Sequence, residues 1–452
     1  MLNDEELLID LYELTMAQGY FKLNKHEEQV VFDMFIRDIP EKGKYVVAAG
    51  IPEVLNYLEN FSFDKKNIEY LRSLNLFDDD FLDFLTNFEF DCDVWSVREG
   101  EIFFPDEPIL KVAGKRLQAQ LIETYVLNQI NFQSLIATKA SRIVDMSSPK
   151  LVSDFGLRRA HSESAGLKAS KASYIGGVDS TSNVLAGKKY DIPVTGTMAH
   201  SWIMSFDNEL ESFMEYSKLY KNDTVLLIDT YDTIQGCKNA IKAGKWMKNN
   251  GWSLKGIRLD SGNIVNLSKT CRKMLDEANL KNVKIFASGD LNEYKIKKLE
   301  ESNAPIDGYG VGTEMVTARK DAALGGVYKL QEDRKKPVMK LSSSGKKQTL
   351  PGDKQVYRIK KKNYFKKDII GLAKDEIKGD KLLNCYMRDG NIQNYTYTIK
   401  DAKEYCQKRK KMFKDKIRGL KNQDYKVELS KNLKNTVDEL TKRIKESLKK
   451  NN

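Results

Sequence analysis

From about residue 150 to residue 313 the chain repeats one pattern: a short apolar run, a loop opening with small or polar residues, then helical periodicity. The runs are KLVSDFG (150–156), IPVTGT (192–197), TVLLIDT (224–230), LKGIRLD (254–260), VKIFASGD (283–290) and DGYGVGT (307–313). The last four follow one another at the spacing of βα units, and none ends in a hairpin turn. Strands separated by helices pair in parallel, because each crossover must return the chain to the same edge. The expected class is therefore α/β, with a parallel sheet that is either open or closed into a barrel. In both forms ligands meet the loops after the carboxyl ends of the strands. That geometry brings Arg158, His200, Asp229, Asp260, Ser288 and Thr313 to one face.

The flanking segments read differently. DEELLIDLYELTMAQGYF has apolar residues at helical spacing behind an Asn3/Asp4 cap, and EQVVFDMFIRDIP alternates as a strand does. GEIFFPDEPILKVAG reads as two short strands around a Pro-Asp-Glu-Pro turn, followed by one long helix to IVDM. After residue 330 the periodicity stops in a basic loop-and-strand region that ends in a helical tail. Three segments follow: an α+β domain over 1–145 that can share strands with the C-terminal part, an α/β catalytic domain over 146–330, and a basic C-terminal extension over 331–452.

The formal charge of +11 is concentrated after residue 330, whereas the preceding part is net acidic. A basic tail can bind nucleic acid. The tail NLKNTVDELTKRIKESLKK instead mixes both signs, with Leu433, Val437, Leu440, Ile444 and Leu448 along one face. That is the pattern of a solvated amphipathic helix, so no nucleic-acid partner is expected. The five cysteines show no CxxC or zinc spacing, which suits reduced thiols. MLNDEELLID lacks the apolar core of a signal peptide, and no run approaches the ~18 apolar residues of a membrane span. A soluble, cytoplasmic protein is expected.

Two glycine-containing loops, ASGDLN (287–292) and GYGVGTEM (308–315), follow consecutive strands. Either alone reads as an ordinary turn. In successive βα units they suit phosphate, which backbone N–H groups can approach closely at glycine. A P-loop is excluded, since every Gly-Lys pair is followed by Tyr, Arg, Lys or Trp, and SYIGGVDSTSN lacks the dinucleotide fingerprint. Arg158 and Arg159 suit capture of a carboxylate or phosphate. Asp229, Asp232 and Asp260 can serve a Mg²⁺ ion, ribose hydroxyls or a histidine, or can cap helices. His200 is one of three histidines, and His161 receives no role. An imidazole at a strand end fits a core position, acid–base work or phosphoryl acceptance, and spacing does not choose among them.

Together, DLYELTMAQGY, DFGLRRAHSESAGLKASKASYIGGVDSTSNVLAG, IPVTGTMAHSW, LLIDTYDT, GIRLDSGN, ASGDLNEYKI and GVGTEMVTARKDAALGGVYKL closely resemble the nicotinate phosphoribosyltransferase family, collinearly from about residue 8 to 360. The resemblance implies an irregular type II phosphoribosyltransferase α/β barrel with an α+β N-terminal domain and a C-terminal extension. It implies a homodimer with interfacial active sites. The implied reaction joins nicotinate to phosphoribosyl pyrophosphate (PRPP), with Mg²⁺ as cofactor and ATP as co-substrate, through a phosphohistidine in NAD salvage.

Carried over by position, His200 is the phosphohistidine, Tyr12 stacks on nicotinate, and Arg158 pairs with its carboxylate. Asp260 contacts ribose or metal, and Asp229 and Asp260 are the Mg²⁺ candidates. Ser288, Gly289, Gly312 and Thr313 hold the 5-phosphate, with Thr197 and Ser162 beside the substrate. Asn263 departs from the family's usual Asp: a carboxylate there would tune PRPP or Mg²⁺ binding, whereas a helix cap works equally well with Asn. The alternatives are a nicotinamide phosphoribosyltransferase, which resembles this chain but has an acid near Ser180 (Asp179 is adjacent), and a non-catalytic PRPP- or nucleotide-binding relative.

Overall fold

The computed structural model describes residues 5–342, 348–413, 420 and 425–450. Contacts divide the chain into two compact units, residues 136–322 and residues 1–135 with 323–452.

The 136–322 unit contains six parallel strands: β1 (Leu151–Asp154), β2 (Ser180–Thr181), β3 (Val225–Leu227), β4 (Gly256–Leu259), β5 (Lys284–Ala287) and β6 (Gly308–Val311). They pair in the order β2–β1–β6–β5–β4–β3, with registers such as Gly308↔Leu151 and Ile285↔Ile257. The α/β class with a parallel sheet is as expected. One strand differs: IPVTGT contributes only a single parallel bridge, Thr181↔Val194, and the outer strand comes from Ser180–Thr181. Pro193 has no N–H to give a ladder, which suits a bridge better than a strand.

Helices Glu163–Gly176, Thr233–Asn249, Ile264–Glu277 and Glu293–Glu301 alternate with the strands. Leu226, Ile257, Ile285 and Val311 meet Ala240, Met247, Leu275 and Ile296 in one core cluster. Each fully buried Leu or Ile contributes about 1.5–3 kcal/mol, which holds helices on the sheet. The helix starts are capped by Ser162, Asp232, Asn263 and Asn292. Capping fixes where each helix begins beyond the preceding strand, so the loops between stay short and converge.

The other unit is built from both ends of the chain. Its seven-stranded sheet pairs Gln29–Ile36 with Gly326–Asp333 on one side and Leu110–Lys115 on the other, and Asp93–Ser96 with Asn384–Arg388. Gln29–Ile36 is buried along almost its whole length, so it needs hydrogen-bonded neighbours on both edges. Strands after residue 325 therefore complete the N-terminal sheet, and the chain passes between the two compact units at 135/136 and 322/323. Buried Arg358 holds Asp368 on the neighbouring C-terminal strand (2.9 Å) and reaches Glu101 of the N-terminal segment (2.7 Å).

Local expectations shift in three places. The first α-helix is Leu11–Lys22, preceded by a 3₁₀ turn at Glu5–Leu7, and the expected Asn3/Asp4 cap lies outside the described residues. The long helix breaks at Ile122 into Arg116–Leu121 and Glu123–Ser147. Ile102–Phe103 and Leu110–Lys115 join different sheets. The tail helix, Lys431–Lys450, buries Leu433 and Leu440 and exposes Leu448. Among the described residues no helix is long and apolar enough to cross a membrane.

Candidate active site

Beyond the carboxyl ends of the parallel strands lies a cavity of about 670 Å³, of small-molecule size. After β1, Asp154 directs the chain toward it. Its Oδ1 accepts from the Gly156 amide (2.9 Å), and its Oδ2 from Ser170 Oγ and Thr181 Oγ1 (2.8 Å each). Burial pushes this carboxyl up, and the three hydrogen bonds oppose the shift. Phe155 follows, lining the cavity over β6. A Cβ on Gly310 would stand 2.4 Å from its ring, so glycine makes the room. The 3₁₀ turn Leu157–Arg159 then exposes Arg158 and Arg159 to the cavity, and neither forms an ion pair among the described residues.

His200 opens the helix His200–Met204, and its Nδ1 lies 3.0 Å from Thr230 Oγ1. Beside it Thr197 lines the wall, its hydroxyl donating to the Met198 carbonyl at 3.2 Å.

From β4, Arg258 turns inward and donates from Nη2 to the Met198 carbonyl at 3.0 Å, while its Nε has no partner among the described residues. Burial lowers the guanidinium pKa, with Asp260 and Asp229 acting against that and Arg158 reinforcing it. Asp229 stands behind the wall. Its Oδ2 accepts from the Asp260 amide (3.0 Å) and Ser261 Oγ (2.6 Å), and its buried Oδ1 has no partner among the described residues.

Asp260 lines the cavity and accepts from Ser288 Oγ at 2.5 Å through Oδ1. Gly289 has φ +88°, and a Cβ there would lie 1.8 Å from the Asp260 carbonyl oxygen. Only glycine fits both the backbone angle and the approach. Gly312 precedes the short helix Thr313–Val316, completing the second glycine loop. Lys295, in the first turn of Glu293–Glu301, reaches the same cavity and donates to the Asp290 carbonyl at 2.8 Å.

His200, Asp260, Arg158, Thr197, Ser288, Gly289, Gly312 and Thr313 thus share one cavity, whereas Asp229 lies behind its wall. Others fall elsewhere. Ser162 is a helix cap accepting from the Ala165 amide at 3.1 Å and does not line the cavity. Asp232 and Asn263 are also caps, accepting from Gln235 N (2.7 Å) and Asn266 N (3.2 Å). Asn263 therefore does what a carboxylate would do at that helix start. Asp179 accepts from the Val152 amide at 2.9 Å, and Ser180 shares a hydrogen bond of the same length with Ser153. Tyr12 belongs to the other unit, exposed on Leu11–Lys22, where burial of its hydroxyl and the charge of Glu123 raise its pKa.

The sequence reading missed Phe155, Ser182, Arg258 and Lys295. Arg258 carried a signal, because it stands two residues before Asp260 and so shares its side of the strand. Lys295 carried none. The cations Arg158, Arg159, Arg258 and Lys295 outnumber the carboxylates Asp260 and Asp290, so the cavity favours a polyanion. Among the described residues no group of three or more His, Cys, Asp or Glu could hold a metal alone.

Fold and site define an α/β protein with a cation-rich cavity, suited to an anionic small molecule, at the carboxyl edge of a parallel sheet. Comparison narrows this class. Residues 7–131, 151–369 and 375–437 match the N-terminal domain, the family core and the C-terminal domain of nicotinate phosphoribosyltransferase. A Mycobacterium tuberculosis nicotinate phosphoribosyltransferase is 40% identical over 420 residues, covering 93% of this chain and 90% of the relative. The Bacillus subtilis enzyme is 37% identical, covering 97% and 96%. The crystal structure of human nicotinic acid phosphoribosyltransferase superposes with a TM-score of 0.86 at 26% identity, covering 96% of this chain and all of that one. The chain belongs to the nicotinate phosphoribosyltransferase family.

Proposed function

We propose that this chain transfers the phosphoribosyl group of PRPP to nicotinate, releasing pyrophosphate and forming nicotinate mononucleotide for NAD salvage. The observation that carries the reading is the meeting of Arg158, Asp260, His200 and both glycine loops in one cation-rich cavity. The pyridine nitrogen attacks C1 of the ribose as the C1–O bond to pyrophosphate breaks, and the leaving electrons go to the pyrophosphate oxygen. Positive charge builds on the ribose ring in that transition state, and a carboxylate at Asp260 stabilises it. Arg158 takes the nicotinate carboxylate as a two-pronged donor. Backbone amides around Ser288, Gly289, Gly312 and Thr313 hold the 5-phosphate.

Mg²⁺ fits this site as an ion shared between protein and substrate. Asp260 has one oxygen engaged by Ser288, leaving the other for the cavity, and Asp229 Oδ1 is buried without a partner among the described residues. Such an ion takes one or two carboxylates plus phosphate oxygens and supplies charge neutralisation of the leaving pyrophosphate.

The reading includes ATP. A ring nitrogen of His200 attacks the γ-phosphorus, the bond to ADP breaks, and ADP leaves with the bonding electrons. Water later attacks the phosphorus and returns the lone pair to nitrogen. It also includes a cytoplasmic homodimer. Support for the dimer comes from an apolar face along the start of Leu11–Lys22 and just before it, where Leu8, Leu11, Tyr12 and Met16 are partly exposed. Tyr12 would stack on nicotinate from that face.

Pyrophosphate release from PRPP with nicotinate, with and without ATP, tests the function. Release with nicotinate and its stimulation by ATP are expected. Release with nicotinamide alone overturns the substrate assignment. In His200→Ala, nicotinate-dependent ATP hydrolysis is expected to vanish while a slow ATP-independent transfer remains.

A further inference from the structure

The ladder between β5 and β6 ends at Ala287↔Tyr309, short of both Gly289 and Gly312. Strand pairing therefore does not reach the backbone amides of the two glycine loops, and their separation needs another support. Lys139, buried on the helix Glu123–Ser147, supplies one. Its Nζ lies 3.1 Å from Glu293 Oε1 and 3.0 Å from Oε2, and it donates to the Arg319 carbonyl at 3.5 Å.

Both partners belong to segments that follow the glycine loops. Glu293 is fully buried and opens the helix Glu293–Glu301, directly after the first loop. Arg319 lies just beyond the short helix Thr313–Val316 of the second loop, and its Nη1 returns to Glu314 Oε1 of that helix at 3.3 Å. Arg142 gives Glu293 Oε1 a second cation at 3.0 Å. A buried ammonium is costly unless acceptors surround it, so the carboxylate and the carbonyl are drawn to one point. Glu293, Lys139, Arg319 and Glu314 thus form a bridge between the two loops, and Lys139 itself does not line the cavity. A phosphate held by two sets of amides depends on their spacing, and a shift of about 1 Å can cost about a hundredfold.

We propose that Lys139 is a positioning residue for the 5-phosphate, fixing the separation of the Gly289 and Gly312 loops without touching the substrate. The proposal rests on the reading of those loops as the phosphate holders.

Calorimetric titration of the full chain with ribose 5-phosphate, beside steady-state kinetics, tests it. Lys139→Met keeps the length of the side chain and removes its charge, while Glu293 keeps Arg142 as a partner. The variant is expected to bind ribose 5-phosphate about tenfold more weakly and to raise the KM for PRPP by a similar factor. The KM for nicotinate at saturating PRPP should change less than about threefold. Lys139→Arg, which retains a cation with several donors, should recover most of the loss. Glu314→Gln loosens the far end of the bridge, and it should weaken ribose 5-phosphate about threefold even if Lys139→Met does not fold.

A lysine that serves stability alone would lower the urea midpoint of Lys139→Met and leave its ribose 5-phosphate affinity unchanged, which overturns the proposal. A matching rise in the KM for nicotinate also overturns it, because the effect would not be confined to the phosphate. Where Lys139→Met does not fold, unchanged ribose 5-phosphate affinity in Glu314→Gln does the same. Wild-type enzyme that binds neither ribose 5-phosphate nor PRPP overturns it through the phosphate reading, a failure visible before any variant is made.

Discussion

Ser288 Oγ donates to Asp260 Oδ1 at 2.5 Å, joining the loop after β5 to the loop after β4. The bond leaves the second Asp260 oxygen to the cavity and orients Ser288 beside the first glycine loop. Ser288→Ala is expected to raise the KM for PRPP about tenfold while kcat changes less than about threefold, because a binding contact is lost and the reacting centre is kept. Steady-state pyrophosphate release at varied PRPP checks this. A large fall in kcat at unchanged KM would show that Ser288 acts on the chemical step.

Gly289→Ala is expected to abolish most PRPP binding, lowering kcat/KM by about a hundredfold or more, since the new Cβ meets the Asp260 carbonyl and the backbone is left-handed. Gly251→Ala is the control. Its φ of +77° imposes similar backbone strain, but no atom lies within 4 Å of the added carbon. It should lower stability by about 1 kcal/mol and leave KM for PRPP alone.

Arg158 has no ion-pair partner among the described residues and faces the cavity, so its guanidinium is available to a carboxylate. Arg158→Ala is expected to raise the KM for nicotinate about a hundredfold. Arg158→Lys should recover only part of that, because an ammonium cannot reproduce the paired N–H geometry. Equal activity of Arg158→Lys and wild type would count against bidentate capture.

Glu13 is fully buried, and its Oε1 accepts from the Thr124 amide (3.0 Å) and hydroxyl (2.5 Å). Burial pushes its carboxyl up from 4.5 to about 7, the Thr124 hydroxyl opposes the shift, and Glu123 adds to it. Between those two values the folded chain keeps a proton that the unfolded chain releases. Stability from this group is therefore fully present below pH 4.5 and falls as pH rises to about 7, by at most about 3 kcal/mol. Glu13→Gln removes the titration, so its urea midpoint should vary less with pH across that window than the wild type does. Parallel curves for the two proteins would refute it.

Much of the 136–322 unit is legible in the sequence, because apolar runs separated by helical stretches allow few arrangements other than a parallel sheet. The same alternation puts Asp260, Ser288 and Thr313 at one edge, within two residues of a strand end, and His200 six residues beyond the Val194 bridge. Side-chain direction is less legible. Ser162 follows Arg158 by only four residues in the same loop, yet its hydroxyl turns back to the Ala165 amide. Lys295 sits in the first turn of the helix after the first glycine loop, and only the turn of that helix toward the cavity makes it part of the wall.

What the sequence alone determined is the class of fold, the edge where chemistry gathers and most of the residues there, because periodicity and local turn chemistry act over a few residues. The tertiary structure alone decided which partner each group takes: Thr230 for His200, Ser288 for Asp260, Met198 for Arg258. It also decided that strands after residue 325 complete the N-terminal sheet, through pairs such as Asn384↔Ser96. Those contacts join positions far apart in the chain, and their free energy comes from burial and hydrogen bonding that exist only once the strands have met.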